Sequence, residues 1–217
     1  MDFFEFQDHV EEQEILLKYI IQKFQDEEFV AKKERTLFLD EKKIYIMKSG
    51  ILLKEDLRTR AGRLYSSYEV IDTLAHENNA TLFYGKVAIF DKVRLFDELE
   101  RHGLLSNFIY LLWKNKLTEL NYLETSITSP VKQRIINFIS KYSTKTSNRC
   151  FLPKFVSIKL IAACCLCSTK QVSRILNEME KEGIISPLNK KPIYITDLNY
   201  IEKYGDNNKQ DDKSILI

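Results

Sequence analysis

The chain has 217 residues, with 44% hydrophobic and 29% charged positions; this is ordinary globular composition for one large domain or two small ones, and it excludes a wholly disordered chain. Its net charge of +2 is unevenly spread: residues 1–128 hold 18 basic and 23 acidic side chains, net −5, whereas residues 129–205 hold 13 and 5, net +8. No run approaches the ~18 apolar residues of a membrane span, the acidic start (Asp2, Glu5, Asp8, Glu11, Glu12, Glu14) lacks the basic, apolar character of a secretory signal, and Cys150, Cys164, Cys165 and Cys167 crowd too closely for a disulfide framework, which together predict a cytoplasmic protein.

Phe3, Phe6, Val10, Leu16, Leu17, Ile20, Ile21 and Phe24 recur at three- and four-residue steps and predict a helix over about 3–24. The pattern then changes. Leu37-Phe38-Leu39 is a short apolar run. Ile44, Ile46, Ile51 and Leu53 keep period two, with Ser49-Gly50 read as a turn between them. Leu64-Tyr65, Tyr68, Thr81 to Tyr84, Val87, Ile89 and Val93 continue as short β-branched or aromatic pieces. They predict an antiparallel all-β unit of about six to eight strands over 30–95.

From Leu95 the period is helical again, with Gly103 marking a break between a short helix and a long one that runs to about Ser126. Leu104, Leu105, Phe108, Ile109, Leu112, Trp113, Leu117, Leu120 and Leu123 make its apolar set wider than one face needs. One side can pack on the β-unit and the other on the same helix of a second chain, with Leu105, Ile109, Leu112, Trp113 and Leu120 as candidate interface residues. An ordinary core helix is the alternative. Ser129 and Pro130 then suit the cap and first turn of a further helix bearing Val131, Ile135, Ile136 and Ile139. Thr144 to Asn148 reads as a polar loop.

The next segment carries the chemistry. Ser157 caps a helix over Ile158 to Cys165. Ser168-Thr-Lys-Gln171 is a capping box, and Val172, Ile175, Leu176 and Met179 form one core stripe behind it. The opposite face presents Thr169, Lys170, Ser173, Arg174 and Asn177, and Gly183 closes the helix. Two short helices joined by about three residues, the second capped and polar on its outer face, make a helix-turn-helix, whose second helix enters the DNA major groove N-terminus first. Ile184-Ile185, the turn Ser186 to Pro192 and Ile193-Tyr-Ile195 predict a hairpin wing. Lys190 and Lys191 in its turn are placed to meet phosphates. Double-stranded DNA is thus the predicted partner, as the basic second part also suggests.

Cys167-Ser-Thr-Lys-Gln-Val-Ser-Arg-Ile-Leu176, followed by Glu180-Lys-Glu-Gly-Ile-Ile185, resembles the recognition helix and wing start of the Crp/Fnr family of bacterial transcription regulators. The order of β-roll, long helix and winged helix-turn-helix resembles it too. Asp197-Leu-Asn-Tyr-Ile-Glu-Lys-Tyr204 looks like the PrfA-like branch. The sequence match covers about 130–205 and is architectural over 1–125.

The resemblance implies an α+β chain. Its parts would be an antiparallel, cyclic-nucleotide-binding-like β-roll with its N-terminal helix over 1–102, a long dimerisation helix over 103–128, a winged helix-turn-helix over 129–205 and a flexible tail over 206–217. It implies a homodimer that reads a palindromic operator with Ser168, Thr169, Lys170, Ser173 and Arg174, with RNA polymerase as a further candidate partner. Two departures stand out. The turn position usually held by glycine is Leu166. The glycine-and-arginine loop that cradles a cyclic nucleotide phosphate is missing between Gly62 and Phe96, so no cyclic nucleotide, and no other cofactor, is expected. The PrfA-like branch also implies a small thiol-peptide effector, glutathione, as an alternative control. A further alternative is an interaction module of this fold that no longer binds DNA.

Iron–sulfur members use an N-terminal cysteine cluster, and no cysteine precedes Cys150. Adjacent cysteines on one helix diverge by about 100°, which does not suit a tetrahedral metal site, so no metal is expected. Small core packing is the ordinary role for such cysteines. Cys167, beside a capped helix start, is the candidate redox residue with a lowered thiol pKa. His9, His76 and His102 have no partner at metal or triad spacing, His102 being read as lying at a helix start. No nucleophile elbow, P-loop or dinucleotide fingerprint occurs, so no enzyme is expected.

Overall fold

The computed structural model describes residues 13–56, 61–71, 73, 79–146, 149–189 and 191–205. They form two compact units that part within a long helix at residues 123 and 124.

The first unit opens with α1 (Gln13–Phe24) and continues through β1 (Glu27–Ala31), β2 (Arg35–Phe38), β3 (Lys43–Glu55), β4 (Gly62–Tyr65), β5 (Val70–Ile71) and β6 (Asn79–Asp91). It closes with α2 (Lys92–Arg101) and α3 (Leu105–Thr128), the last crossing into the second unit. The part of the first expected helix over residues 3–12 lies outside the described residues. The sheet runs β1-β6-β3-β4, with β2 also on β6 and β5 also on β3. Pairing of β6 with β1, β2 and β3 is antiparallel, as the sequence pattern predicts.

Ser49-Gly50 is not a turn. Strand β3 runs through it for 13 residues, with a register irregularity between Met47 and Ser49. Gly50 (φ +93°) lies opposite Gly85 (φ +117°) on β6. A Cβ on Gly50 would sit 1.9 Å from the Tyr84 carbonyl oxygen, and one on Gly85 2.0 Å from that of Ser49. Only paired glycines allow this backbone approach, so β3 and β6 run on as 13-residue strands where short pieces and a turn are expected. Along β3, Ile44 and Ile46 face the helices, packing with Leu17, Ile20, Phe24, Leu95, Leu99, Phe108 and Leu111. Tyr45, Met47 and Leu52 fill the other side with Leu37, Tyr65, Leu82 and Val87.

Val93 is helical rather than extended, because the Asp91 side chain accepts from the Arg94 amide and starts α2 there. At the end of α2, Gly103 (φ +67°) and Leu104 return their amides to Glu100 and Leu99. This is the paired bonding of a Schellman close. His102 lies at this helix end, not at a start, with its ring 5.2 Å from that of Phe24.

The second unit holds α4 (Val131–Tyr142), β7 (Thr144–Thr146), β8 (Arg149–Leu152), α5 (Ile158–Cys164), α6 (Thr169–Lys181), β9 (Ile193–Ile195) and α7 (Leu198–Tyr204). Pro130, not Ser129, is the N-cap of α4, and no side chain caps it. Thr144 to Thr146, expected as loop, pairs antiparallel with β8, and β9 adds on the other side of β8. No described helix is long and apolar enough to cross a membrane.

Candidate nucleic-acid interface

The candidate interface is built on α5 and α6. Ser157 starts α5 by accepting from the Leu160 amide at 3.1 Å. Ser168 starts α6 through the full capping box: the Gln171 amide donates to Ser168 Oγ at 3.2 Å, and the Ser168 amide donates to Gln171 Oε1 at 3.0 Å. Val172, Ile175, Leu176 and Met179 are all buried. This stripe turns the rest of α6 outward. Ser168, Thr169, Lys170, Arg174 and Asn177 are exposed, and Ser173 is half-buried. The capping box occupies the amides of Ser168 and Gln171 and leaves those of Thr169 and Lys170 at the open helix start, where the dipole favours an anion. So the structure gathers Thr169, Lys170, Ser173, Arg174 and Asn177 on one face of one helix, with Ser168 as the cap at its start.

Beyond Ser168, held in its capping box, two of these side chains already have partners. Ser173 Oγ donates to the Thr169 carbonyl at 2.9 Å, which leaves its lone pairs outward. Arg174 Nη1 donates to Glu178 Oε1 at 2.7 Å, with the Arg174 side chain 66% exposed. Glu178 is a member of this face that sequence reasoning misses, although the Arg-x-x-x-Glu spacing signals it. An exposed pair of this kind is worth only a few tenths of a kcal/mol, so it steers the guanidinium without locking it.

Helix α6 ends with Gly183 (φ +74°), whose amide and that of Ile184 bond to Glu180 and Met179. The chain then returns as the wing. Ile185 bridges Ile195, and the Ser186 amide donates to the Tyr194 carbonyl at 2.8 Å. Lys191 is exposed, and its Nζ donates back to the Val156 carbonyl at 3.4 Å. Lys190 lies outside the described residues.

The turn between α5 and α6 closes like the other two helix ends. The Leu166 amide donates to Ala163 and that of Cys167 to Ala162. Here the left-handed position is Leu166 (φ +50°), not glycine. The turn is therefore kept, at a backbone cost of roughly 1–2 kcal/mol, and something else must offset it.

Cys150, Cys164 and Cys165 are buried and Cys167 is half-buried. Burial pushes the Cys167 thiol up, against a weaker downward pull from the Arg134 guanidinium. This corrects the expected lowering: the loss of water around the half-buried thiol dominates. Burial raises Cys165 as well, with the neighbouring thiols adding to it. Among the described residues no group of three or more histidines, cysteines and carboxylates is placed to hold a metal ion.

On α3, the candidate dimer residues divide. Ile109, Trp113 and Leu120 are 52%, 62% and 51% exposed, and Leu117 joins their stripe. Leu105 and Leu112 instead pack against the core of their own unit.

No family model matches the chain, and no curated protein matches it. Solved structures do. The regulator CLP of Xanthomonas campestris, described as c-di-GMP responsive and as linking cell–cell signalling to virulence gene expression, superposes with a TM-score of 0.63 at 14% identity, over 84% of this chain and 98% of that one. A CooA mutant from Carboxydothermus hydrogenoformans gives 0.62 at 15% identity, over 86% and 89%. A transcriptional regulator of the CRP/FNR family from Thermus thermophilus gives 0.59 at 15% identity, over 82% and 97%. The chain thus has the fold of these proteins: an antiparallel, cyclic-nucleotide-binding-like β-roll followed by helices.

Proposed function

We propose that the chain is a homodimeric transcription regulator of the Crp/Fnr kind, in its PrfA-like branch, that reads a palindromic operator in double-stranded DNA. The carrying observation is α6: a capped helix whose exposed face is polar and basic, standing on a segment of net charge +8. Phosphates would meet the helix start and the wing lysines Lys190 and Lys191, which position the protein. Thr169, Lys170, Ser173, Arg174 and Asn177 would face base edges, which specify the sequence. The fold neighbours described as transcription regulators support this reading and make an enzyme an unsuitable one.

In this reading residues 1–102 form the sensor-like domain, 103–128 the dimer helix, 129–205 the DNA-binding domain and 206–217 a tail. The protein works in the cytoplasm, and RNA polymerase is the partner an activator would touch. The dimer rests on α3, about 36 Å long at 1.5 Å per residue, with Ile109, Trp113, Leu117 and Leu120 outward at three- and four-residue steps.

The test is selection of duplexes from a random pool by the purified chain. A two-fold symmetric site is expected, with half-site centres about one helical turn, ~34 Å, apart. Enrichment of no sequence would favour an interaction module of the same fold. Cyclic AMP is expected to give no heat in a calorimetric titration, since Gly85 is the one glycine between Gly62 and Phe96 and a phosphate cradle needs more. Micromolar binding would refute that. Glutathione, the alternative effector, belongs in the same titration series. A redox switch at Cys167 is disfavoured by its raised thiol pKa.

A further inference from the structure

Among the described residues three helix ends close in the same way, and they differ in one respect. After α2 and α6 the left-handed residue is Gly103 or Gly183, and a Cβ there would meet nothing within 4 Å. After α5 it is Leu166. That turn joins α5 to α6 and, together with the packing of the two helices, sets where the reading face points.

A Schellman close bonds the amides of its last residues and leaves the carbonyls of the turn itself without helical partners. In this turn those are the carbonyls of Cys165 and Leu166. Both are taken by a single group. Arg134 Nη1, from the first turn of α4, donates to the Cys165 carbonyl at 2.8 Å and to that of Leu166 at 3.2 Å. One terminal guanidinium nitrogen has two N–H bonds, one for each oxygen. A third interaction ties the same two places in reverse, as Cys165 Sγ lies 3.5 Å from the Arg134 carbonyl and donates to it. The Arg134 Nε is buried with no hydrogen-bond partner among the described residues. Its burial without a bond is a cost, borne where the terminal nitrogen reaches the two turn carbonyls.

We propose that Arg134 is a positioning residue for DNA reading: its guanidinium clamps the Cys165 and Leu166 carbonyls and holds the left-handed turn that glycine would otherwise adopt unaided. The positive charge also lies at the C-terminal end of α5, where the peptide dipoles favour it. Arg134 touches neither base nor phosphate in this account; it acts through the angle between α5 and α6. The proposal rests on the reading of α6 as the DNA-reading helix for its functional part and on the turn geometry alone for its structural part.

The two parts are tested together by a cycle in the full-length chain: Arg134→Met, which keeps the stem and removes the donors, Leu166→Gly, and the double variant. The first readout is amide hydrogen exchange at Leu166, Cys167 and Ser168. Arg134→Met is expected to speed exchange there by about tenfold, with protection at core positions such as Ile175 less affected. The double variant is expected to regain wild-type protection, because glycine holds the turn without the clamp. The second readout is affinity for a duplex selected by the wild-type chain: about tenfold weaker in Arg134→Met and within about threefold of wild type in the double variant. If Arg134→Met folds too poorly to assay, recovery of a cooperative melt in the double variant is the expected result.

Loss in Arg134→Met that Leu166→Gly does not restore would overturn the proposal, as would a single variant with unchanged exchange at the turn. The exchange arm uses no DNA. It therefore judges the clamp even where the wild-type chain selects no duplex, which would count against the DNA-reading function instead.

Discussion

Glutamates at Ile109 and Trp113 are expected to leave a folded monomer that has lost about 10²- to 10⁴-fold in operator affinity. Both side chains are more than half exposed, so the substitutions cost the unit's own core little. In a dimer they would place four carboxylates in one apolar seam, and burying charge without a partner costs several kcal/mol. The loss in affinity follows from linkage: two half-sites held by one dimer gain an effective concentration that a monomer lacks. Sedimentation should show a single chain mass, with the circular-dichroism melt retained. A dimer that persists would place the interface elsewhere. Leu112 is a poorer test position than the sequence alone suggests, because it packs on the core formed by Phe90, Leu99 and Phe108; a charge there would unfold the unit before it informed on assembly.

The second large effect is at Arg174. Its side chain stands on the exposed face of α6, two-thirds open to solvent, steered by Glu178. A guanidinium fork matches guanine O6 and N7 together. Arg174→Ala is expected to cost about 1–3 kcal/mol at the selected site, roughly fivefold to more than a hundredfold, and to relax preference at one base position in each half-site. Lys191→Ala provides the contrast. It should weaken all duplexes alike and flatten the dependence of log affinity on log salt by about one unit for each phosphate that is no longer neutralised. Binding curves for selected and scrambled duplexes, measured at several salt concentrations, separate the two. Should Arg174→Ala leave the ratio of specific to non-specific affinity unchanged, α6 is not the reading helix.

How far the sequence discloses all this depends on the range of each interaction. The capping box of α6 spans four residues and its core stripe eight, so Ser168, Gln171, Val172 and Met179 announce the helix by spacing alone. The β-unit is legible as a class but not in its strands. At Tyr45 and Met47 one face of β3 is buried in the roll, and at Ile44 and Ile46 the other is buried under helices, which erases the alternation. A glycine opposite another glycine across two strands looks, in sequence, like a turn.

Strand β7 is hidden for the opposite reason. Thr144-Lys-Thr146 has no apolar residue, and its extended form comes from the partner β8. Val93 carries strand propensity, yet Asp91 caps a helix over it. The candidate dimer residues share one chemistry, and only the packing of α3 separates Leu105 and Leu112 from Ile109 and Trp113. Arg134 has no local signal at all, since its acceptors lie 31 and 32 residues on.

The measurement that bears most directly on the central claim is an equilibrium titration of the wild-type chain, by fluorescence anisotropy, against its selected duplex and a scrambled duplex of equal length across a salt series. The account predicts binding to the selected site at least ~10³-fold tighter than to the scrambled one, with affinity falling steeply and linearly in log salt for both. Equal affinity for the two duplexes, or no salt dependence, would contradict it.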